Sequence, residues 1–195
     1  MKKLTEKGII KIIENDPWMM DILRVAESLN LPDWWIGAGF VRSKVWDYLH
    51  NYKKRTPVPD IDLIYFDNSD FSDIEASEFT TKTRDKYQEK LNKLLPGVKW
   101  SVTNQARMHL YHKRNPYKNS KEALSEWVET ATGIAVKIKD KKLFFIAPHG
   151  IDDLVSLKIR RIPNYSEVFK HIPHEFDKRL EEKKWTKKWP KLKIA

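Results

Sequence analysis

Residues 60–66 read Asp-Ile-Asp-Leu-Ile-Tyr-Phe, and this stretch decides how the rest of the chain is interpreted. It is rich in β-branched and aromatic residues and follows a loop with Pro57 and Pro59, so it predicts a buried strand. Because side chains alternate along a strand, Asp60 and Asp62 share one face, about 6.5 Å apart along the chain. Two such carboxylates can converge on a divalent cation, although Asp-x-Asp is also common at solvent-facing strand ends and turns.

A second feature lies upstream, where residues 37–43 read Gly-Ala-Gly-Phe-Val-Arg-Ser at a predicted strand-to-helix turn. Glycine lets the backbone come close to a ligand, and the free N–H groups at a helix start attract phosphate. Arg42, one helical turn further on, can add a guanidinium group to a phosphate oxygen. Tight packing of the helix on the strand would explain Gly37 and Gly39 equally well, so both interpretations stay open.

The remaining hydrophobic patterns predict an α+β fold, a mixed sheet of about five strands with helices packed on it. The predicted strands cover residues 33–37, 60–66, 98–103, 134–138 and 143–147, the last two as a hairpin. The predicted helices cover residues 3–14, 17–29, 40–49, 79–95, 120–127, 151–160 and 166–184, and residues 68–78 are predicted to be a polar loop. Asn15 or Asp16 is expected to cap the second helix, with Pro17 at its first position.

Length and composition fit one domain over residues 1–195, with a core over about 17–160 and a basic, Trp-containing segment over about 165–195. No apolar run approaches the roughly 18 residues that cross a bilayer, so no membrane partner is expected. The basic and then apolar start is interrupted by acidic residues without a small-residue cleavage site, which argues against a signal peptide. The chain has no cysteine, which suits a cytoplasmic location and excludes a thiolate metal site.

The net charge of +10 is concentrated near the C-terminus. Residues 183–193 read KKWTKKWPKLK, and the six lysines of this run leave +4 for the rest of the chain. A basic segment interleaved with Trp185 and Trp189 can grip phosphates and stack on bases. The alternative is a solvated last helix whose two tryptophans, four positions apart, cover the core.

Taken together, WIGAGFVR (35–42) and PVPDIDL (57–63) resemble the head domain of the polymerase-β nucleotidyltransferase superfamily. The match is to the tRNA-nucleotidyltransferase and poly(A)-polymerase form, in which a Gly-Gly-x-Val-Arg-Asp turn precedes an Asp-x-Asp strand. Further stretches resemble a bacterial family of single-domain nucleotidyltransferase-like proteins: WSVTNQARMH (100–109), ALSEWVETAT (123–132), APHGIDDL (147–154) and KWTKKWPKL (184–192).

The resemblance implies transfer of NMP from an NTP to an unidentified acceptor, either a nucleic acid or a protein. It implies that Asp60 and Asp62 are the catalytic carboxylates and hold Mg²⁺ or Mn²⁺, which activates the acceptor and neutralises the phosphates. The residues that it places at the phosphates of the NTP are Gly37, Gly39, Arg42 and Ser43.

Two positions depart from the family pattern. A third carboxylate is expected on the facing strand, but the outward positions there are Lys99, Ser101 and Thr103. Ser101 is expected beside the Asp60–Asp62 edge, in place of that carboxylate. The alternative is that another acid completes the site: Asp67, Asp152 or Asp153. In addition, Ser43 stands where the tRNA-type motif has an acid.

These departures leave two further functions open. The chain could be a catalytically deficient protein on the same fold that binds nucleotides or nucleic acid, with binding that falls steeply as salt rises. It could also be an interaction protein that uses its sheet as a platform.

Other polar residues follow the 98–103 strand or begin a later helix. Arg107 is a candidate triphosphate contact, because a guanidinium binds phosphate in a fixed geometry. The alternative is a polar turn in which Arg107 pairs with a surface acid. His109 and His112, three positions apart, would need a third ligand to bind a metal, and Asp152 and Asp153 are explained first as helix-start residues.

Overall fold

The structure, a computed structural model, describes residues 3–69 and 82–195, apart from the side chains of residues 82–85 and 112. Most of the polar loop predicted over 68–78, and the first residues of the helix predicted over 79–95, lie outside the described residues.

A five-stranded mixed sheet forms the centre of the molecule. Its strands are β1 (Trp35–Gly37), β2 (Ile61–Tyr65), β3 (Trp100–Asn104), β4 (Ala135–Lys139) and β5 (Lys142–Ile146). Their order is β3-β2-β1-β4-β5, with β2 and β3 parallel and the other neighbours antiparallel. The predicted α+β class and five-stranded sheet are therefore confirmed.

Ten helices surround the sheet in the described part of the chain. They are α1 (Glu6–Glu14), α2 (Pro17–Glu27), α3 (Gly39–Leu49), α4 (Lys82–Leu94), α5 (Met108–His112), α6 (Ser120–Ser125), α7 (Asp152–Val155), α8 (Tyr165–Val168), α9 (Glu175–Lys183) and α10 (Trp185–Lys188). A 3-10 turn, Gln105–Arg107, precedes α5. Asp16 caps α2 as predicted, because its carboxylate accepts a hydrogen bond from the Met19 amide at 3.2 Å.

Two helix predictions near the C-terminus were wrong in extent. The helix predicted over 151–160 ends at Val155, and strand β6 (Lys158–Ile159) follows it and runs parallel to β7 (Lys193–Ile194). Strands of two residues are too short to show a periodicity, and their partners lie far apart in the chain. The helix predicted over 166–184 is divided into α8 and α9 because Pro173, which lacks an amide hydrogen, lies between them.

The hydrophobic core extends from Ile9 in α1 to Leu192, beyond the range of 17–160 that the sequence indicated. Trp185 and Trp189 are only 4% and 2% exposed. Both rings pack edge-on against the buried Trp46 of α3, with centroids 6.1 and 5.1 Å away. The two tryptophans therefore cover the core, as one of the two interpretations proposed, and do not present open faces to bases.

None of the described helices combines the length and apolar character that a bilayer crossing requires. The cytoplasmic location and the single-domain organisation stay predictions.

Candidate functional site

The turn between β1 and α3 has an unusual backbone. Ala38 adopts φ 50° and ψ −125°, a positive-φ conformation that costs a residue with a Cβ atom on the order of 1–3 kcal/mol. Its methyl group has no oxygen with which to cap α3, so the first amide groups of this helix are left for another acceptor. Ala38 and Gly39 line a cleft at this point, and an anion in the cleft would meet those amides.

The two glycines of the turn have different surroundings. A Cβ atom on Gly37 would lie 3.1 Å from the carbonyl oxygen of Ile134, which is tighter than ordinary contact. A Cβ atom on Gly39 would lie 3.5 Å from the nearest atom, Cγ1 of Val58, which is ordinary van der Waals distance. Close packing against the residue before β4 thus leaves no room for a side chain at Gly37, whereas Gly39 has room beside the cleft, and the phosphate-binding role of both glycines stays a prediction.

Asp60 and Asp62, before and within β2, line the same cleft. Burial, and then the neighbouring charge of Asp60, raise the pKa of Asp62 to about 6, against the attraction of Arg42, Lys183 and Arg179. The two carboxylates therefore repel each other without full compensation from the cations around them. This oxygen-only donor set fits a hard divalent cation, which would relieve the repulsion.

Arg42 is a fixed cation in the cleft and is only 7% exposed. Its Nη1 donates a hydrogen bond to Oγ1 of Thr132, and its Cζ lies 5.3 Å from the Trp46 ring and 4.6 Å from the Trp185 ring. Its buried Nε has no partner among the described residues. Burial lowers the pKa of Arg42 to about 10, opposed in part by the charge of Glu129, so the guanidinium stays charged at neutral pH.

The C-terminal segment forms the opposite side of this cleft, whose volume is about 250 Å³. We call this side, residues 179–189, the C-terminal wall; it contributes Arg179, Lys183, Trp185, Lys188 and Trp189. The guanidinium of Arg179 is held by two hydrogen bonds to the buried carboxylate of Glu129, at 2.7 and 3.1 Å. Cations from the end of the chain therefore face the aspartates of β2.

Helix α3 and the residues directly after it anchor the C-terminal wall. Nε1 of Trp189 donates to the buried carboxylate of Asp47 at 2.7 Å, and the Tyr52 hydroxyl donates to the carbonyl oxygen of Lys188 at 2.9 Å. Beyond the wall, the amide of Lys191 donates to Nε2 of His50 at 3.0 Å. The helix thus presents the strained turn at its first residue and holds the opposite wall at its last turn.

A second, more apolar pocket of about 220 Å³ adjoins the cleft. It shares Ala38, Asp62 and Arg179 with the cleft, and its aromatic lining comes from Trp127 and Phe169. Asp62 therefore borders both the cationic cleft and the more apolar pocket.

The structure confirms the predicted neighbourhood of β2 and β3. In the parallel register Asp62 is opposite Ser101, and Trp100 and Val102 are buried on the other face. A hydroxyl group thus stands beside Asp62 where the family resemblance places a third carboxylate.

The structure separates the other predicted site residues. Ser43 lines the cleft and is buried. Arg107 ends the 3-10 turn after β3 and is not among the cleft-lining residues, so its nucleotide-binding role stays a prediction. His109 is buried, with Nδ1 2.7 Å from the Ala106 carbonyl oxygen, and no three His, Asp or Glu residues of the described chain group together as a metal site.

The alternative acids lie elsewhere. Asp152 is exposed and paired with Lys3 at 2.6 Å, and Asp153 accepts a hydrogen bond from Thr130 at 2.8 Å. The carboxylate of Asp67 accepts from the Ser69 amide at 2.9 Å. None of the three is among the described residues that line the cleft.

A family model for nucleotidyltransferases matches residues 24–194, which include the turn, the aspartate pair and the C-terminal wall. The chain belongs to the nucleotidyltransferase family. No curated protein is significantly similar to it.

Solved structures similar to this nucleotidyltransferase include CCA-adding enzymes. An NMR structure described as a CCA-adding enzyme head domain has a TM-score of 0.80 and 25% identity, over 100% of this chain and 97% of that one. A CCA-adding enzyme in complex with CTP has a TM-score of 0.55 and 17% identity, over 100% of this chain and 44% of that one. The Thermotoga maritima enzyme with tRNA has a TM-score of 0.55 and 18% identity, over 96% and 42%. The chain spans less than half of these two enzymes, and the likeness to them shows the fold.

Sequence reasoning missed two parts of the candidate site. Arg179 stands in no recognised motif, and the buried Glu129 that holds it lies in the stretch 123–132, where the sequence pattern assigned it no role. Lys183 and Lys188 belong to the basic run that composition does reveal, but its position in the cleft depends on the docking of the tail on α3.

Proposed function

We propose that this nucleotidyltransferase transfers NMP from an NTP to a hydroxyl or phosphate group of an acceptor, with Mg²⁺ or Mn²⁺ held by Asp60 and Asp62. One observation carries the proposal: the aspartate pair and the uncapped start of α3 line the same cleft. Such a cleft can hold a metal-bound polyphosphate between carboxylates and backbone amides.

The aspartate pair suits a cation that takes its other ligands from water and phosphate. Mg²⁺ is usually bound in this way, by one or two carboxylates together with substrate phosphates. When bound, the cation supplies charge neutralisation on the phosphates and lowers the pKa of the attacking hydroxyl.

The residues of the chain orient the reacting groups. In this proposal the first amides of α3, beginning at Gly39, donate hydrogen bonds to phosphate oxygens, and Arg42 adds a fixed positive charge. In the transfer, an acceptor oxygen forms a bond to the α-phosphorus, the bond to the bridging oxygen breaks, and pyrophosphate leaves. The proton of the acceptor is released to water.

The adjoining pocket offers a place for a ring system of the nucleotide or of the acceptor. Its half-buried Trp127 side chain is suited to contact a planar base, in a pocket that shares Asp62 with the cationic cleft. Similar CCA-adding enzymes have been solved with CTP and with tRNA, which supports an NTP donor and makes a nucleic acid one class of acceptor to test, beside a protein.

A non-catalytic nucleotide-binding protein is the second candidate. Ser101 favours it, because a hydroxyl group leaves the site beside Asp62 one negative charge short of the family pattern. Fewer charged ligands weaken cation binding. The protein would then still bind the nucleotide but would no longer catalyse its transfer.

Labelled NTPs, incubated with the protein, Mg²⁺ or Mn²⁺ and cell extract, test the proposal. We expect a labelled product that is lost on chelation and falls on the order of a hundredfold or more in Asp60→Asn and Asp62→Asn. Asp152→Asn, at an exposed position outside the cleft, is the matched control and should keep the parent activity. NTP binding without any product would favour the second candidate, whereas undiminished product in Asp62→Asn would exclude the proposed mechanism.

A further inference from the structure

We propose that Lys183 and Lys188 are part of the nucleotide site and bind the polyphosphate of the nucleotide from the C-terminal wall. This inference rests on the proposed function and adds binding residues that lie outside the turn and the aspartate pair.

The first argument is placement. Lys183 ends α9 and Lys188 ends α10, and both line the cleft that contains Asp60 and Asp62. Neither ammonium group forms an ion pair with a residue that the structure describes. Arg179, on the same wall, is by contrast paired with Glu129 at 2.7 Å.

The second argument is the charge of the cleft. Four cationic side chains line it against two carboxylates: Arg42, Arg179, Lys183 and Lys188 against Asp60 and Asp62. Counting Glu129, which binds Arg179, still leaves an excess of positive charge. A cation held by the aspartates would increase that excess, so the cleft is complementary to a compact polyanion.

The third argument is that the wall is held firmly in place. The hydrogen bond from Trp189 to Asp47 fixes the chain directly after Lys188, and the packing of Trp185 against Trp46 fixes it before Lys188. Trp185 packs against the guanidinium of Arg42, whose buried Nε has no partner among the described residues. An unpartnered buried donor in a rigid cationic cleft points to an anionic ligand.

Size favours one nucleotide over a nucleic-acid strand as the source of this anion. The cleft measures about 250 Å³, at the lower limit of small-molecule sites. The tryptophans of the wall are buried and have no free face on which successive bases could stack.

The same segment supplies matched controls. Lys184 and Lys187 are exposed and are not among the residues that line the cleft. A Lys184→Gln/Lys187→Gln double variant therefore removes the same charge from the same segment without altering the cleft.

Binding of inorganic tripolyphosphate, measured by titration calorimetry beside ATP and adenosine, tests the inference without requiring turnover. In Lys183→Gln/Lys188→Gln, tripolyphosphate and ATP affinities should fall on the order of tenfold or more. Adenosine binding should stay at the parent value, and Lys183→Arg/Lys188→Arg should recover most of the loss. The control pair should bind tripolyphosphate as the parent does, and circular dichroism reports whether each variant is folded; single variants replace a double variant that fails to fold.

Equal losses in the two glutamine pairs would overturn the inference, because they would show an effect of overall charge alone. Parent-like binding in Lys183→Gln/Lys188→Gln, or no tripolyphosphate binding by the parent, would overturn it as well. If the parent binds tripolyphosphate through these lysines but transfers no nucleotide, the proposed function fails and the inference stands. If transfer occurs and the lysines make no difference, only the inference fails.

Discussion

The two sides of the cleft are built in different ways. One side, residues 37–62, consists of a strained turn and a strand end whose side chains are positioned by local geometry and by the register of the sheet. The C-terminal wall is positioned by contacts with α3, chiefly the hydrogen bond between Trp189 and Asp47. Carboxylates and backbone amides therefore come from the central sheet and the helix that follows β1, and the lysines come from a segment that must first dock on α3.

The largest expected effect concerns Asp62, on the side of the cleft formed by residues 37–62. The pKa of Asp62 is raised from 3.8 to about 6, so between these pH values the folded state holds its proton more tightly than the unfolded chain does. The contribution of Asp62 to the free energy of unfolding is therefore present at low pH and is lost as the pH rises through about 6. In metal-free buffer, Asp62→Asn should thus raise the free energy of unfolding at about pH 8 by up to about 3 kcal/mol, and by much less near pH 4. Urea denaturation at both pH values measures this, and a gain independent of pH would contradict the electrostatic explanation.

The docking of the C-terminal wall can be tested next. Trp189→Phe keeps an aromatic ring against Trp46 but removes the donor to the Asp47 carboxylate, and should lower the free energy of unfolding by about 2 kcal/mol. The matched variant, Tyr52→Phe, removes an exposed hydrogen bond to the Lys188 carbonyl oxygen and should cost less than about 1 kcal/mol. Tripolyphosphate affinity should fall in the first variant and not in the second. Similar losses of stability in both would show that Asp47 does not dominate the docking.

The two glycines of the turn are expected to have different roles, Gly37 in packing and Gly39 in ligand binding. Gly37→Ala should destabilise the fold by about 1–3 kcal/mol, because the new methyl carbon would crowd the Ile134 carbonyl oxygen at 3.1 Å. Gly39→Ala should change stability by less than about 1 kcal/mol and weaken NTP binding about tenfold, because its methyl group would project into the cleft. Thermal denaturation and calorimetric NTP titration separate the two effects, and the reverse pattern would refute this division.

The smallest effect concerns the neutral position beside the aspartates. Ser101→Asp adds a carboxylate opposite Asp62 in the register of β2 and β3, and should tighten Mn²⁺ binding a few-fold and raise any transferase activity. Thr103→Asp, on the same face of β3 but opposite Ile64, is the control. If Ser101→Asp folds normally and binds Mn²⁺ no better than the parent, Ser101 does not lie at the metal site.

Local pattern predicted much of the fold because strands and caps have short-range causes. Asp16 caps α2 beside Pro17, and the alternation of 98–103 buries Trp100 and Val102, both as the sequence indicates. The C-terminal part was less predictable. A two-residue strand such as β6 exists only because β7, from the end of the chain, pairs with it.

The same distinction holds for the site. The glycine turn, the Asp60–Asp62 pair and the basic character of the C-terminal run can be read from the sequence, because each lies within a short stretch of chain. The packing of separate segments is needed to show that Gly37 is crowded while Gly39 has room, and that Trp185 and Trp189 are buried. The same packing brings Lys183 and Lys188 into one cleft with the aspartates. Most of these properties depend on contacts between distant segments, as in the 142-residue separation of Trp189 and Asp47, and no local periodicity encodes such a contact.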